Sequence, residues 1–393
     1  MILGQISYLD CIVFLVFLTP QLLLHAGFFR TAFWLLGALP SLPVPAVIRL
    51  PIQFFYERYL TPRRKQSPFV QNATAFQDIV IRCVRFAFAK MPAFLGRVFF
   101  SKGVSLPFLR WRMLRHGYLT SPLPWREVQT KDFKGIWISQ DHDKRPDIVI
   151  YYCHGGGFSM GSSYFYMEFL IAWVQLLRES GFQNPAFFSL EYTLVPDSAY
   201  PKQLHETFAG YQHVLSTVGE SSRICVGGDS AGATLMLSLL LHLADHNSYR
   251  NRLPGMGIMI SPWVTIVSEN NQNTESDYLD ANSLETYGRQ YLGLKVSEDD
   301  PLASPGKCKD LTKWLRASPT RGWTFLYGSE EVLAPETRDL IAMLKKAGAS
   351  LEVYEELGSI HAWPVVSLYL GQTRNERLHG LQDIVRSIGK KMR

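Results

Sequence analysis

Beyond about residue 127 the chain repeats one pattern: a short, largely apolar run, a turn, and then a longer stretch with apolar positions at helical spacing. Runs of this kind lie at 148–153, 186–190, 223–227, 256–260, 324–327 and 351–354. Each is too short for a helix and reads as a strand buried on both faces, and the intervals between them are long enough for crossover helices. The pattern predicts an α/β fold, with a mostly parallel central sheet and helices on both faces. Ahead of these runs, Val128 to Thr130 and Gly135 to Ile138 flank a turn and predict a β-hairpin.

The first 125 residues have a different texture. Residues 51 to 125 mix aromatic, apolar and basic positions at helical spacing, as in Ile79, Ile81, Val84, Phe86 and Phe88, and predict an all-helical cap. No Asp, Glu, Lys or Arg stands between Asp10 and Arg30, a length that can span a bilayer. A second uncharged stretch, Thr31 to Ile48, is broken by Pro40, Pro43 and Pro45 and reads as a re-entrant or interfacial continuation. A cleaved leader fits less well, because the residues before Cys11 hold no Lys or Arg and include Asp10. The expected organisation is a membrane anchor segment at 1–48, a helical cap at 49–125 and a catalytic domain at 126–393.

Composition narrows the picture. With 393 residues, 47% apolar and 19% charged, the chain is richer in apolar and poorer in charged residues than most soluble domains. The formal charge of +6 is spread along the chain, so no nucleic-acid partner is implied. Five cysteines without a C-x-x-C pair indicate neither a zinc site nor a disulfide framework, and Cys153 and Cys225 fall inside predicted strands as core thiols. Arg49, Arg58, Arg63, Arg64 and Lys65 follow the apolar block, and the sequon at Asn72 and Thr74 could be used only if this region were lumenal.

Three sites carry candidate chemistry. Gly228-Asp229-Ser230-Ala231-Gly232 lies between a buried strand and an apolar helix, where the flanking glycines permit a turn tight enough to lift the Ser230 hydroxyl to the carboxyl edge of the sheet. His154-Gly155-Gly156-Gly157-Phe158 directly follows the strand at 148–153, and its glycines leave backbone N–H groups free to face one developing oxyanion. In a layout where the partners follow as serine, acid and histidine, four histidines remain beyond Ser230. His242 and His246 fall on or just after the helix that starts at the serine, and His379 sits on an exposed C-terminal helix. His361 lies in a loop after the strand at 351–354, the setting a general base needs. For the acid, Glu330 and Glu331 both follow the strand at 324–327, and Asp300 is a third candidate that looks like loop structure.

These residues resemble the hormone-sensitive-lipase-like branch of the α/β-hydrolases, which includes arylacetamide deacetylases and fungal steryl acetyl hydrolases. The resemblance covers roughly residues 120 to 370. It rests on His154 to Phe158, Glu191 to Pro196 followed by Tyr200-Pro201, Gly228 to Gly232, Ile260 to Trp263, Asp300 to Pro305 and Glu331 to Leu333. It implies a catalytic triad of Ser230, Glu331 and His361, with an oxyanion hole from the N–H groups of Gly156, Gly157 and Ala231. Many relatives carry aspartate where this chain has Glu331, one methylene longer. The resemblance leaves His154, Gly155, Gly228, Asp229 and Gly232 in supporting roles within the two motifs.

Motifs and resemblance together predict a serine carboxylester hydrolase acting on a small hydrophobic acylated substrate, such as a sterol ester or lipophilic metabolite, with no metal or organic cofactor. An acyl-transfer or cyclising enzyme on the same fold, and a catalytically dead small-molecule receptor, are the competing readings. The apolar N-terminus resembles in kind that of the deacetylases anchored to the endoplasmic reticulum, which implies membrane lipid as a partner.

Overall fold

The computed structural model describes residues 2–25, 27 and 43–393. The N-terminal part is helical throughout its regular elements: α1 (Tyr8–His25), α2 (Pro43–Phe55), a π-turn at Tyr56–Leu60, α3 (Pro68–Asn72), α4 (Ala75–Lys90), α5 (Ala93–Phe99) and α6 (Lys102–Arg115). Local signals set several of the boundaries. Thr74 caps α4 through a reciprocal capping box with Gln77, and Pro92 and Ser101 stand at the starts of α5 and α6. Most of the uncharged stretch Thr31 to Ile48 lies outside the described residues.

The N-terminus is docked along the domain. Leu3 is buried in the core, the Ile6 N–H donates to the Tyr369 carbonyl at 2.9 Å, and the Gln5 amide donates to the Leu370 carbonyl at 2.6 Å. Asp10, the single acid of the segment, is fully buried: it accepts from the Ser7 N–H, the Ser7 hydroxyl and the Trp111 indole, and pairs with Arg115 at 2.7 Å and Arg112 at 3.4 Å. Arg112 in turn forms a bidentate pair with Glu168, both N–H···O distances being 2.8 Å. By length and composition α1 could cross a membrane. One of its flanks, Phe14, Leu18 and Leu22, packs on Val98 and Phe99 of α5 and Val104 of α6.

Eight strands form one sheet in the order β1-β2-β4-β3-β5-β6-β7-β8. They are β1 (Trp125–Gln129), β2 (Lys134–Ser139), β3 (Val149–Cys153), β4 (Ala186–Leu190), β5 (Ile224–Asp229), β6 (Met256–Ile260), β7 (Trp323–Gly328) and β8 (Leu351–Glu356). The predicted hairpin is β1 with β2. That pairing and β2 with β4 are antiparallel, and all others are parallel. The connecting helices are α7 (Ser163–Glu179), α8 (Lys202–Val218), α9 (Ala231–Asp245), α10 (Ala281–Leu292), α11 (Leu311–Ala317) and α12 (Ala334–Lys346), followed by α13 (Trp363–Leu370) and α14 (Arg374–Met392).

The period-two alternation of the buried strands splits the core into two layers. Val149, Tyr151 and Cys153 of β3 lie in the layer that holds α8, α9, α11 and α12, whereas Ile150 and Tyr152 lie in the layer of α7, α13 and α14. Both faces being covered explains why β3 to β7 read as continuous apolar runs. Cys153 and Cys225 are fully buried, and that burial pushes both thiols far up from their ordinary range. The chain leaves β3 for β4 on one side and returns to β5 on the other, so the carboxyl ends of β3 and β5 flank the topological switch point, where open α/β sheets bind ligands.

Candidate active site

Ser230 stands between the end of β5 and the first turn of α9, at φ 52° and ψ −121°. A positive φ strains any residue with a side chain, and here the surroundings enforce it. The Ser230 N–H donates to the Ile260 carbonyl at 3.0 Å, and its own carbonyl accepts from Trp263 at 3.2 Å. The glycines of the motif have a steric reason. A Cβ on Gly228 would lie 2.5 Å from the Gly232 carbonyl carbon, and one on Gly232 would lie 2.0 Å from the Cys153 carbonyl oxygen. The turn therefore closes only with glycine at both positions.

The His154 to Phe158 turn lies beside it because β3 and β5 are neighbours, with Cys153 opposite Gly228. Asp229 ties the two turns together: one carboxylate oxygen accepts from the Gly155 N–H at 3.0 Å and the Tyr152 hydroxyl at 2.7 Å, and the other from the Tyr166 hydroxyl at 2.6 Å. Burial raises the Asp229 carboxyl against the opposing pull of those two tyrosine hydroxyls. Gly156 has φ 111°, and a Cβ there would sit 2.2 Å from the Met160 carbonyl oxygen. His154 is buried, stacks on Tyr192 with centroids 4.5 Å apart, and donates from Nδ1 to the Gly155 carbonyl at 2.8 Å. Among the described residues, the N–H groups of Gly156, Gly157 and Ala231 have no acceptor in the protein. Ala231 owes this to its place in the first turn of a helix, whose N–H groups point outward and carry the positive end of the helix dipole.

The candidate acid and base, Glu331 and His361, come from strands farther along the same edge. Glu331, 2% exposed, follows β7, and His361, 3% exposed, lies in the turn between β8 and α13. His361 Nδ1 donates to one Glu331 carboxylate oxygen at 3.2 Å, which leaves Nε2 as the free lone pair. The other Glu331 oxygen accepts from the Gly328 N–H and the Ser261 hydroxyl, both at 2.5 Å. Burial alone would depress the His361 imidazolium. The hydrogen bond and charge of Glu331, with smaller contributions from Asp277 and Asp229, outweigh it and hold the pKa above the ordinary value.

Glu330 points elsewhere. Its carboxylate accepts from Ser329 at 3.1 Å and Ser276 at 3.4 Å. Asp300 accepts from the N–H groups of Leu302 and Ala303 and caps its own turn, as loop structure. His242 and His246 pack edge to face at the far end of α9, and His379 is half-exposed on α14.

Two residues to which the sequence assigned no role stand close to the pair. Ser261, at φ 44°, links Glu331 to the Ala362 N–H, which donates to its hydroxyl at 2.9 Å. Asp277 is buried between the acid and base loops and accepts from the Val332 N–H at 2.9 Å and the His361 N–H at 3.0 Å. The Ile260 to Trp263 motif was a signal for Ser261; the local sequence around Asp277 offers none. A cleft of about 510 Å³ opens nearby between the end of α4, Met91 to Ala93 and α10, and its Tyr287 lies against Gly157. A second cleft, about 580 Å³, lies at the opposite end of β5 around Gly219 to Ser222.

A family model described as the alpha/beta hydrolase fold matches residues 150–365, from within β3 to within α13. The chain belongs to the α/β-hydrolase fold family. Within that family it is 29% identical over 221 residues to an acetyl-hydrolase of Streptomyces hygroscopicus, which covers 55% of this chain and 68% of that protein. It is 25% identical over 234 residues to steryl acetyl hydrolase 1 of Saccharomyces cerevisiae, covering 56% and 53% respectively. The chain thus spans between about half and two thirds of the length of these α/β-hydrolases. An esterase from the bacterial hormone-sensitive lipase family superposes with a TM-score of 0.65 at 24% identity over 81% of this chain and 99% of that one, a likeness of fold. The family and the fold read from the motifs are both borne out, and the relatives are α/β-hydrolases of the esterase and acetyl-hydrolase type.

Proposed function

We propose that this chain is a serine carboxylester hydrolase in which Ser230 is the nucleophile, His361 the general base and acid, and Glu331 the group that orients His361. The observation that carries the reading is the buried hydrogen bond from His361 Nδ1 to Glu331 at 3.2 Å, on the same sheet edge as the Ser230 elbow. With Nδ1–H held by a carboxylate, Nε2 is the nitrogen that takes the serine proton as the hydroxyl attacks the ester carbonyl and returns it to the leaving alcohol. Water then attacks the acyl-enzyme by the same route. The N–H groups of Gly156, Gly157 and Ala231 hold the oxyanion, since groups that lack acceptors at rest meet the developing charge without reorganisation. Asp277 acts as a positioning residue, fixing the backbone of both loops and adding negative charge that favours the imidazolium.

The substrate is a small hydrophobic acylated molecule, a sterol ester or lipophilic metabolite. The cleft beside Gly157 sets Phe88, Met91, Pro92 and Tyr287 beside the polar Lys90, Asp280, Asn282 and Gln290, and its volume admits a small ligand. The name of the yeast relative, a steryl acetyl hydrolase, supports the same class. The apolar N-terminal helix brings the enzyme to membrane lipid, in the endoplasmic reticulum. Labelling with a fluorophosphonate probe and turnover of p-nitrophenyl acetate test the reading. Both are expected in the native chain and absent in Ser230→Ala; native protein that does neither would overturn it.

A further inference from the structure

The outward faces of α1 and of the strip from the end of α2 through the π-turn are apolar to an extent unusual for a surface in water. On α1, Leu9, Ile12, Leu15, Val16 and Leu24 are each at least half exposed. On the second strip the same holds for Ile52, Phe55, Tyr56, Tyr59 and Leu60. Both strips border one helix, α4: Tyr8 packs edge-on against Phe76 at 5.0 Å, and Arg58 pairs with Asp78 at 3.4 Å. Beneath this face, beside the apolar contacts of α1 with α5 and α6, lie buried charges. Asp10, Arg112 and Glu168 are buried under α1, and Asp78 with Arg82 under the second strip.

The docking of α1 decides how it can meet a bilayer. Its whole length lies on the domain: the residues just before it are hydrogen-bonded to Tyr369 and Leu370, its middle packs on α5 and α6, and Gln21 stands against Gly103. Crossing the hydrocarbon in this pose would take α6 along, with Lys102, Arg110 and Arg115, and charged side chains at that depth are strongly disfavoured. Lying in the interface needs no such transfer. Immediately after the aromatic strip, Arg63, Arg64 and Lys65 are exposed, and among the described residues none of them pairs with a carboxylate. Three such cations at the rim of an aromatic and apolar face match an anionic headgroup layer.

We infer that α1 and the 52–60 strip form one monotopic docking face for a bilayer bearing anionic lipid, with α1 lying in the interface and both chain ends on one side. This deepens the membrane association proposed above and rests on it. The test uses the full chain with a cleavable tag at each end, reconstituted with phosphatidylcholine vesicles with and without phosphatidylserine. Flotation is expected with both, stronger with phosphatidylserine and weakened toward the neutral level by salt, and external protease should remove both tags or neither from each molecule. Leu9→Ser/Ile12→Ser/Val16→Ser should lower vesicle binding by about tenfold or more. Arg63→Glu/Arg64→Glu/Lys65→Glu, all on exposed positions, should abolish the phosphatidylserine preference and keep the neutral level. Molecules that lose one tag only would establish a spanning anchor and overturn the inference. Absence of flotation, dimerisation in place of vesicle binding, or equal binding to both vesicle types would overturn it as well. Hydrolysis of p-nitrophenyl acetate, followed in the same samples, is independent of these outcomes: its absence from floating native protein would fell the hydrolase reading and leave this one standing.

Discussion

The sheet half and the helical N-terminal part of this molecule distribute polarity in opposite ways. Around the sheet, apolar side chains fill two layers, and the buried carboxylates Asp229, Asp277 and Glu331 gather at one edge, each held by backbone N–H groups of neighbouring turns. In the N-terminal part the buried charged groups, Asp10 with Arg112 and Asp78 with Arg82, are ion pairs between side chains, and Leu9, Ile12, Leu15, Ile52, Phe55 and Leu60 are among the large apolar residues that lie outside. Buried carboxylates held by backbone serve orientation, because the main chain cannot swing away; buried carboxylates that reach a cation on another element, as Asp10 does Arg112 and Asp78 does Arg58, serve docking. On the reading proposed above, the contrast separates two regions joined in space, one for chemistry and one for docking at a membrane.

Substitutions can break or sharpen that separation. Ser230→Ala should cost on the order of 10⁶ in turnover, and His361→Ala nearly as much, with the thermal midpoint unchanged for the serine variant. Turnover of p-nitrophenyl acetate by a purified Ser230→Ala protein would remove the nucleophile from the sheet edge. Glu331→Gln should cost roughly 10⁴ in kcat, by the effect of neutralising a triad acid, whereas Glu330→Gln should cost less than about tenfold. The reverse ranking would move the acid by one residue. Asp10→Ala should act on the other side of the contrast, lowering stability by about 2 kcal/mol through the Ser7 N–H and Trp111 indole donors it leaves without an acceptor and the partner it takes from Arg115, as read by chemical denaturation. Its kcat on a water-soluble ester should stay within about twofold of the native value; a larger loss without destabilisation would show that the N-terminal part takes part in chemistry.

The smallest expected effect is a matter of pH. His361 must be neutral to accept the serine proton, so kcat/KM falls as pH drops through its pKa, which stands above the ordinary histidine value. Asp277 is among the groups that raise it. In Asp277→Asn that acid limb should move to lower pH, whereas a purely structural role would lower the rate at every pH and leave the limb in place.

How much of this was readable in the chain depends on how local the cause is. Strand buried on both faces, glycine-flanked serine and glycine-rich turn are each written within six or so consecutive residues, so the sheet, its two layers and the positions of Ser230 and of the Gly155 to Gly157 turn followed from the sequence alone. Two adjacent glutamates after β7 could not be ranked that way, because which one turns inward depends on the Gly328 N–H and on a hydroxyl from Ser261, 70 residues away. Asp277 reaches His361 across 84 residues and Asp10 reaches Arg112 across 102, with nothing near either acid to announce a partner. Asp10 counted in the sequence only as a charge ill-suited to a leader, and the apolar helix after it only as a length that could span a bilayer. Tertiary packing decided that the acid is buried and the helix lies along the domain, since pairing and docking are properties of distances in space that periodicity along a chain does not record.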